Sequence, residues 1–267
     1  MTPRISLALA ALAGCAAHPG QRRPAATDLT RSSHYASTPN DPALPTLGVW
    51  PLPHTGSFGP GGAAPACLAP TLSFACTGLC PQPLSDAFDR YGALVFFAGS
   101  PSDAVGSAFV TALNVTVSAD ARLALGVSEN YTLTIPTGLG ADTVAVLTAD
   151  TQWGALRGLE TFSQLWVWAG RDGPVSYCTT TANLAVTDFP RYPWRGLLID
   201  SARHFLPVSA ILKTIDAMSY NKLNTLHWHL VDDQSWPLYS STYPNFTKGG
   251  AYCPSCYYTH EDLTRVV

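Results

Sequence analysis

The sequence predicts an α/β and α+β chain in two parts, and three observations carry the prediction. Between Arg195 and Asp233 the run RGLLIDSARHFLPVSAILKTIDAMSYNKLNTLHWHLVDD reads as strand, helix, strand, with polar residues gathered at both strand ends. Upstream, short strand-like runs precede one long helical stripe, Gln152 to Val167. Between the two parts lies Asp188-Phe189-Pro190-Arg191-Tyr192-Pro193, whose prolines disfavour helix and sheet interior alike, so it reads as a connection.

In chain order the first element is a leader. Met1 to Arg4 gives a positive start, Ile5 to Ala13 an apolar core and Cys15-Ala16-Ala17 a small-residue exit, the pattern of a secretory signal peptide over residues 1–17. Leu12-Ala13-Gly14-Cys15 also fits bacterial lipoprotein processing, in which Cys15 would carry the lipid. Residues 18–45 follow as a low-order leader. Within 46–188, the first structural domain, Leu94 to Phe97, Tyr131 to Ile135 and Val144 to Thr148 read as strands. The loop-rich section Pro60 to Cys80 receives no assignment. The helix places Trp153, Leu156, Leu159, Phe162 and Trp166 at helical spacing, and a core face packed on a sheet explains this stripe better than a ligand-stacking platform does.

The second part occupies 191–267. Gly196 to Ile199 is short and continuously apolar, which suits a parallel strand buried on both faces, and it runs into Asp200 and Arg203. Pro207 opens a helix whose Val208, Ile211, Leu212, Ile215 and Met218 share one face, with Lys213 and Asp216 on the other. Asn221 and Asn224 mark a turn. Thr225 to Val231 then forms a second strand ending at Asp232 and Asp233, and a right-handed crossover brings it parallel to the first. Both polar clusters therefore fall at carboxyl ends. His260 to Val267 reads as the start of a further helix.

Composition narrows the function. Hydrophobic residues make up 46% and charged residues 12%, with a formal net charge of -3, which suits a secreted or lumenal globular protein. The 15 basic residues are scattered apart from Gln21-Arg22-Arg23, so nucleic acid is not a partner. No apolar run reaches about 18 residues, so no membrane-spanning helix is predicted. Asn114-Val115-Thr116, Asn130-Tyr131-Thr132 and Asn245-Phe246-Thr247 are glycosylation sequons, which favour a eukaryotic secretory route over the lipoprotein one. Loss of the signal peptide removes Cys15 and leaves an even set, Cys67, Cys76, Cys80, Cys178, Cys253 and Cys256, compatible with disulfides. Cys253-Pro254-Ser255-Cys256 is not paired with a second such motif, so disulfide or structural thiols outweigh a zinc or redox site, and a local bridge there is left open.

The runs RGLLIDSARHFLP and YNKLNTLHWHLVDDQSWP resemble the opening of the catalytic barrel of glycoside hydrolase family 20, the β-N-acetylhexosaminidases. GVWPLP, ENYTLTI and TADTQWGALRGLETFSQLW resemble the smaller α/β domain that precedes that barrel, so the likeness spans roughly Thr46 to Val267. The resemblance implies a small α/β sandwich domain followed by the first two strand–helix units of a truncated (β/α)8 TIM barrel. It implies a retaining glycosidase that removes terminal N-acetylglucosamine or N-acetylgalactosamine, with the substrate's acetamido oxygen as nucleophile. It further implies a glycan partner, no cofactor, no metal, a lysosomal or extracellular location, and it allows a homodimer of the full-length enzyme.

Residue by residue, the resemblance assigns Arg203 to the hydroxyls of the terminal sugar, a role its planar five-donor guanidinium suits. The same guanidinium could instead pair with Asp200 or Asp232. Asp232 matches a carboxylate that orients a histidine on a later strand, with His229 and Asp200 in support and Asp233 and His204 as lesser candidates. His227 and His229 project from one strand face, the geometry of a zinc-binding pair, but Trp228 between them and the HLVDD continuation follow the hexosaminidase pattern. No catalytic residue is expected in this chain. The family's acid glutamate follows an aspartate after a later strand, whereas Glu129, Glu160 and Glu261 follow Ser128, Leu159 and His260. A closed barrel takes about 250 residues, so the expectation is an inactive amino-terminal fragment. A carbohydrate-binding pseudoenzyme and, more remotely, a zinc-dependent hydrolase are the competing readings.

Overall fold

The computed structural model describes residues 6–8, 48–57, 66–101, 109–136, 143–169, 174–180 and 183–267. Of the segment read as a signal peptide, only Ser6–Ala8 is described. Cys15 and residues 18–45 lie outside the described residues.

The chain divides into two compact units, one ending at Pro190 and the other running from Arg191 to Val267 together with Ser6–Ala8 and Leu123–Val127. In chain order the elements are β1 (Ser6–Ala8), β2 (Thr55–Ser57), β3 (Cys67–Cys76), α1 (Gln82–Val95), β4 (Phe109–Ala119), β5 (Tyr131–Ile135), β6 (Thr143–Thr151) and α2 (Gln152–Gln164). They continue with β7 (Val167–Ala169), β8 (Ser176–Cys178), β9 (Leu184–Asp188), β10 (Gly196–Asp200), α3 (Val208–Tyr220), β11 (Thr225–His229), α4 (Pro244–Gly250) and α5 (His260–Val266).

The first unit is a mixed eight-stranded sheet in the order β2-β9-β5-β6-β4-β3-β8-β7 with α1 and α2 packed on it. Strict alternation sets its inward face. Tyr131, Leu133 and Ile135 of β5 and Ala145, Leu147 and Ala149 of β6 are buried, while Thr132, Thr134, Val146 and Thr148 are exposed. Helix α2 begins where the Thr151 hydroxyl accepts the N–H groups of Trp153 and Gly154. It buries Leu159 and Phe162, and Trp153 and Trp166 are buried with them. It stops at Gln164 rather than Val167, because Val167 opens β7.

Two differences from expectation have local causes. Leu94 to Phe97 is not a strand: Leu94 and Val95 end α1, where Leu84, Ala87, Tyr91 and Val95 repeat along one buried face. A short apolar run cannot by itself tell strand from helix. The section around Cys67 to Cys76 is a ten-residue strand, and its register against β4 slips between Leu68 and Ser73. Pro70 lies within that slip and has no N–H to offer a ladder.

Three disulfides join Cys67 to Cys178, Cys76 to Cys80 and Cys253 to Cys256. The first bridges residues directly opposite each other in β3 and β8. The third is the local bridge that the sequence left open.

The second unit is a strand–helix–strand unit. β10 and β11 are parallel, with Asp200 opposite His229, and β1 pairs antiparallel with the other edge of β11. α3 buries Ile211, Ile215 and Met218 in a core shared with Ile199, Leu226 and Trp228, while Lys213 and Asp216 face solvent. The expectation that Gly196 to Ile199 is buried on both faces fails, since Leu197 is 39% and Leu198 56% exposed. β10 lies at the edge of its sheet, and the apolar cover provided by α3 reaches Ile199 only. β11 ends at His229, two residues short of Val231, which places Asp232 and Asp233 in the following turn.

Candidate functional site

The carboxyl ends of β10 and β11 bring four of the sequence-predicted residues together: Asp200, Arg203, His229 and Asp232. Asp200 closes β10 and turns the chain by accepting the N–H groups of Ala202 and Arg203 on Oδ1, both at 3.1 Å. Its Oδ2 accepts Nη1 of Arg203 at 2.6 Å. The other terminal nitrogen of Arg203 pairs with Asp232 Oδ2. That same oxygen lies 3.1 Å from Nε2 of His229, and Asp232 Oδ1 accepts the N–H of Asp233 at 2.8 Å.

Arg203 therefore forms both ion pairs that the sequence offered as the alternative to sugar binding. These do not exhaust it. Each carboxylate engages one terminal nitrogen, and the side chain is still 55% exposed. Two anions fix the plane of the guanidinium and leave donor capacity facing solvent.

Electrostatics agree with the geometry. The Asp233 N–H, then His229 and the Arg203 charge, hold the Asp232 carboxyl down at about 2. Partial burial pushes Asp200 up, but hydrogen bonds from the Arg203 side chain and backbone outweigh it, so its pKa is lowered. Arg203 is raised by its bond to Asp200 and by the charge of Asp232. The three groups are fully ionised at neutral pH.

The remaining candidates are not part of this cluster. His204 and Asp233 are exposed, and the Asp233 N–H donates to Asp232 Oδ1. Among the described residues the histidine that Asp232 touches is His229, the last residue of β11. No group of three or more His, Cys, Asp or Glu among the described residues is arranged to hold a metal. Of the sequons, Asn114 lies within β4 between β3 and β6, Asn130 donates to Asp150 at 3.0 Å, and Asn245 is exposed on α4. No helix among the described residues is long and apolar enough to cross a membrane.

Two residues beside the site carried no sequence signal. Ser201 is buried at the end of β10, where its hydroxyl accepts Nε1–H of Trp228 at 2.8 Å. Tyr258, which reads as one aromatic in a loop rich in them, is fully buried beneath the turn that carries Arg203.

A parallel strand–helix–strand unit with an arginine held by two carboxylates at its carboxyl ends defines an α/β protein whose site presents guanidinium donors to solvent. The chain belongs to glycosyl hydrolase family 20: residues 192–267 match the family's catalytic domain, and residues 49–165 match the domain described as beta-acetyl hexosaminidase like. It is 44% identical over 193 residues to beta-hexosaminidase subunit alpha of Rattus norvegicus, covering 69% of this chain and 35% of the relative. It is 40% identical over 247 residues to beta-hexosaminidase subunit beta of Homo sapiens, covering 87% of this chain and 42% of the relative. The chain thus spans well under half the length of these relatives. Among solved structures, a chitobiase from Flavobacterium johnsoniae superposes with a TM-score of 0.66 at 23% identity over 84% of this chain and 33% of that one, a likeness of fold.

Proposed function

We propose that this chain supplies the sugar-holding part of a β-N-acetylhexosaminidase site, in which Arg203 grips hydroxyls of a terminal N-acetylglucosamine or N-acetylgalactosamine. One observation carries the reading: the Arg203 guanidinium is fixed by Asp200 and Asp232 yet more than half exposed at the carboxyl ends of two parallel strands. A charged, planar fork held from behind offers directional donors to adjacent hydroxyls at little further entropic cost. β10, α3 and β11 with α5 then correspond to the first two strand–helix units of the family's barrel.

The hydrolytic step in this family needs a glutamic acid beside an aspartate, the acid to protonate the leaving oxygen and the aspartate to orient the acetamido group. None of Glu129, Glu160 and Glu261 follows an aspartate, and the first two are buried in the first unit. The 267 residues therefore bind the sugar without cleaving it. The three disulfides and the sequons support a secretory route.

Calorimetry with N-acetylglucosamine tests this directly. The chain should bind, and Arg203→Ala should weaken binding by about tenfold or more, equivalent to about 1.4 kcal/mol. Absence of binding by the unaltered chain overturns the reading. Release of a chromogenic N-acetylglucosaminide by the purified chain would show that an acid is present after all.

A further inference from the structure

Arg203 sits in the middle of the turn 201–206, and both ends of that turn are tied down by residues outside it. At the first end the Ser201 N–H donates to the His229 carbonyl at 3.0 Å, and the Ser201 hydroxyl accepts the Trp228 indole N–H at 2.8 Å. At the other end the Tyr258 hydroxyl donates to the Leu206 carbonyl and accepts the Leu206 N–H at 3.3 Å. The Tyr258 ring fills the space between these ties, with its centroid 4.8 Å from both Phe205 and Trp228.

Tyr258 is itself anchored. Its backbone N–H donates to the Pro237 carbonyl and its carbonyl accepts the Tyr239 N–H, each at 2.8 Å. Burial pushes its phenol above the ordinary value, so it stays a donor. The hydroxyl satisfies both backbone groups of one turn residue, a costly arrangement to build for packing alone, since Phe would fill the same volume.

We propose that Tyr258, with Ser201 and Trp228, is a positioning unit that clamps the turn 201–206 and thereby holds the Arg203 guanidinium in register with Asp200 and Asp232. The three residues are buried. They act through Arg203, so the consequence for sugar affinity rests on the proposed function, whereas the clamp does not.

Nitrogen-detected NMR of the Arg203 guanidinium at neutral pH reads the clamp without any ligand. In the unaltered chain the two terminal nitrogens should give separate signals, because opposed carboxylates restrict rotation. Tyr258→Phe keeps the ring against Trp228 and Phe205 and removes only the hydroxyl. The Arg203 signals should then merge, and their exchange with water should quicken by about fivefold or more, as loss of both hydrogen bonds to Leu206 implies. Amide signals of α3 should stay where they are. A folded Tyr258→Phe chain with unchanged Arg203 signals overturns the proposal, since a merely structural tyrosine would change stability alone. Should that variant not fold, Ser201→Ala loosens the opposite end of the turn, and unchanged Arg203 signals there overturn it equally. Failure of N-acetylglucosamine to bind the unaltered chain would sink the sugar reading while leaving these spectra to decide the clamp.

Discussion

Asp232 joins three groups: Oδ1 takes the Asp233 N–H, while Oδ2 faces both His229 and Arg203. These partners favour the charged form, so its folded-state pKa of about 2 lies below the roughly 3.9 of an unfolded aspartate. A depressed carboxylate contributes stability that is present above about pH 4 and is lost as pH falls towards 2. Carboxyl carbon titration should therefore show Asp232 with a midpoint near 2. Arg203→Ala should raise it only part of the way, because the Asp233 N–H is the larger cause and remains. A wild-type midpoint near 4 would contradict the geometry. At this scale the charged residues were legible in the sequence, since acids and arginines at the ends of apolar runs have few structural uses. Ser201 and Tyr258 were not, because a buried hydroxyl and a surface one look alike in a sequence.

Helix α2 lies very close to its sheet at one point. A Cβ built on Gly158 would meet the Leu147 side chain at 2.3 Å and the Tyr131 ring at 3.0 Å. Gly158→Ala should overpack this contact and cost about 1–3 kcal/mol by chemical denaturation; a neutral result would mean that the helix can lift away. On the opposite sheet face, Thr116, Thr148, Thr132, Thr187 and Thr55 stand in one cross-strand row over β4, β6, β5, β9 and β2. Thr132 has threonine on both sides, so Thr132→Ala should cost about 0.2–1 kcal/mol for each pair it loses. Long periodic elements such as α2, α3, β5 and β6 were readable because their apolar spacing is set by the face they bury. α1 and β3 were not. Their apolar residues are brief or interrupted by Pro70, and the decision between helix and strand came from partners distant in sequence.

At the scale of the chain, the first unit ends at Pro190. That unit is closed by Cys67–Cys178, which spans 111 residues. Cross-links over loops of this size restrict the unfolded chain most, so Cys67→Ala paired with Cys178→Ala should lower unfolding stability by about 2–5 kcal/mol. What the sequence could not show is how little of β10 the second unit covers, because burial of Leu197 and Leu198 depends on what lies beyond the sheet edge. The central claim is that the clamped, exposed Arg203 is a sugar-binding group, and N-acetylglucosamine added at neutral pH while the Arg203 guanidinium resonances are observed tests it most directly. Saturable shifts of those resonances, with weaker binding of the sugar to Arg203→Lys by calorimetry, are the predicted result. Arg203 signals that stay unmoved by the sugar would contradict the claim.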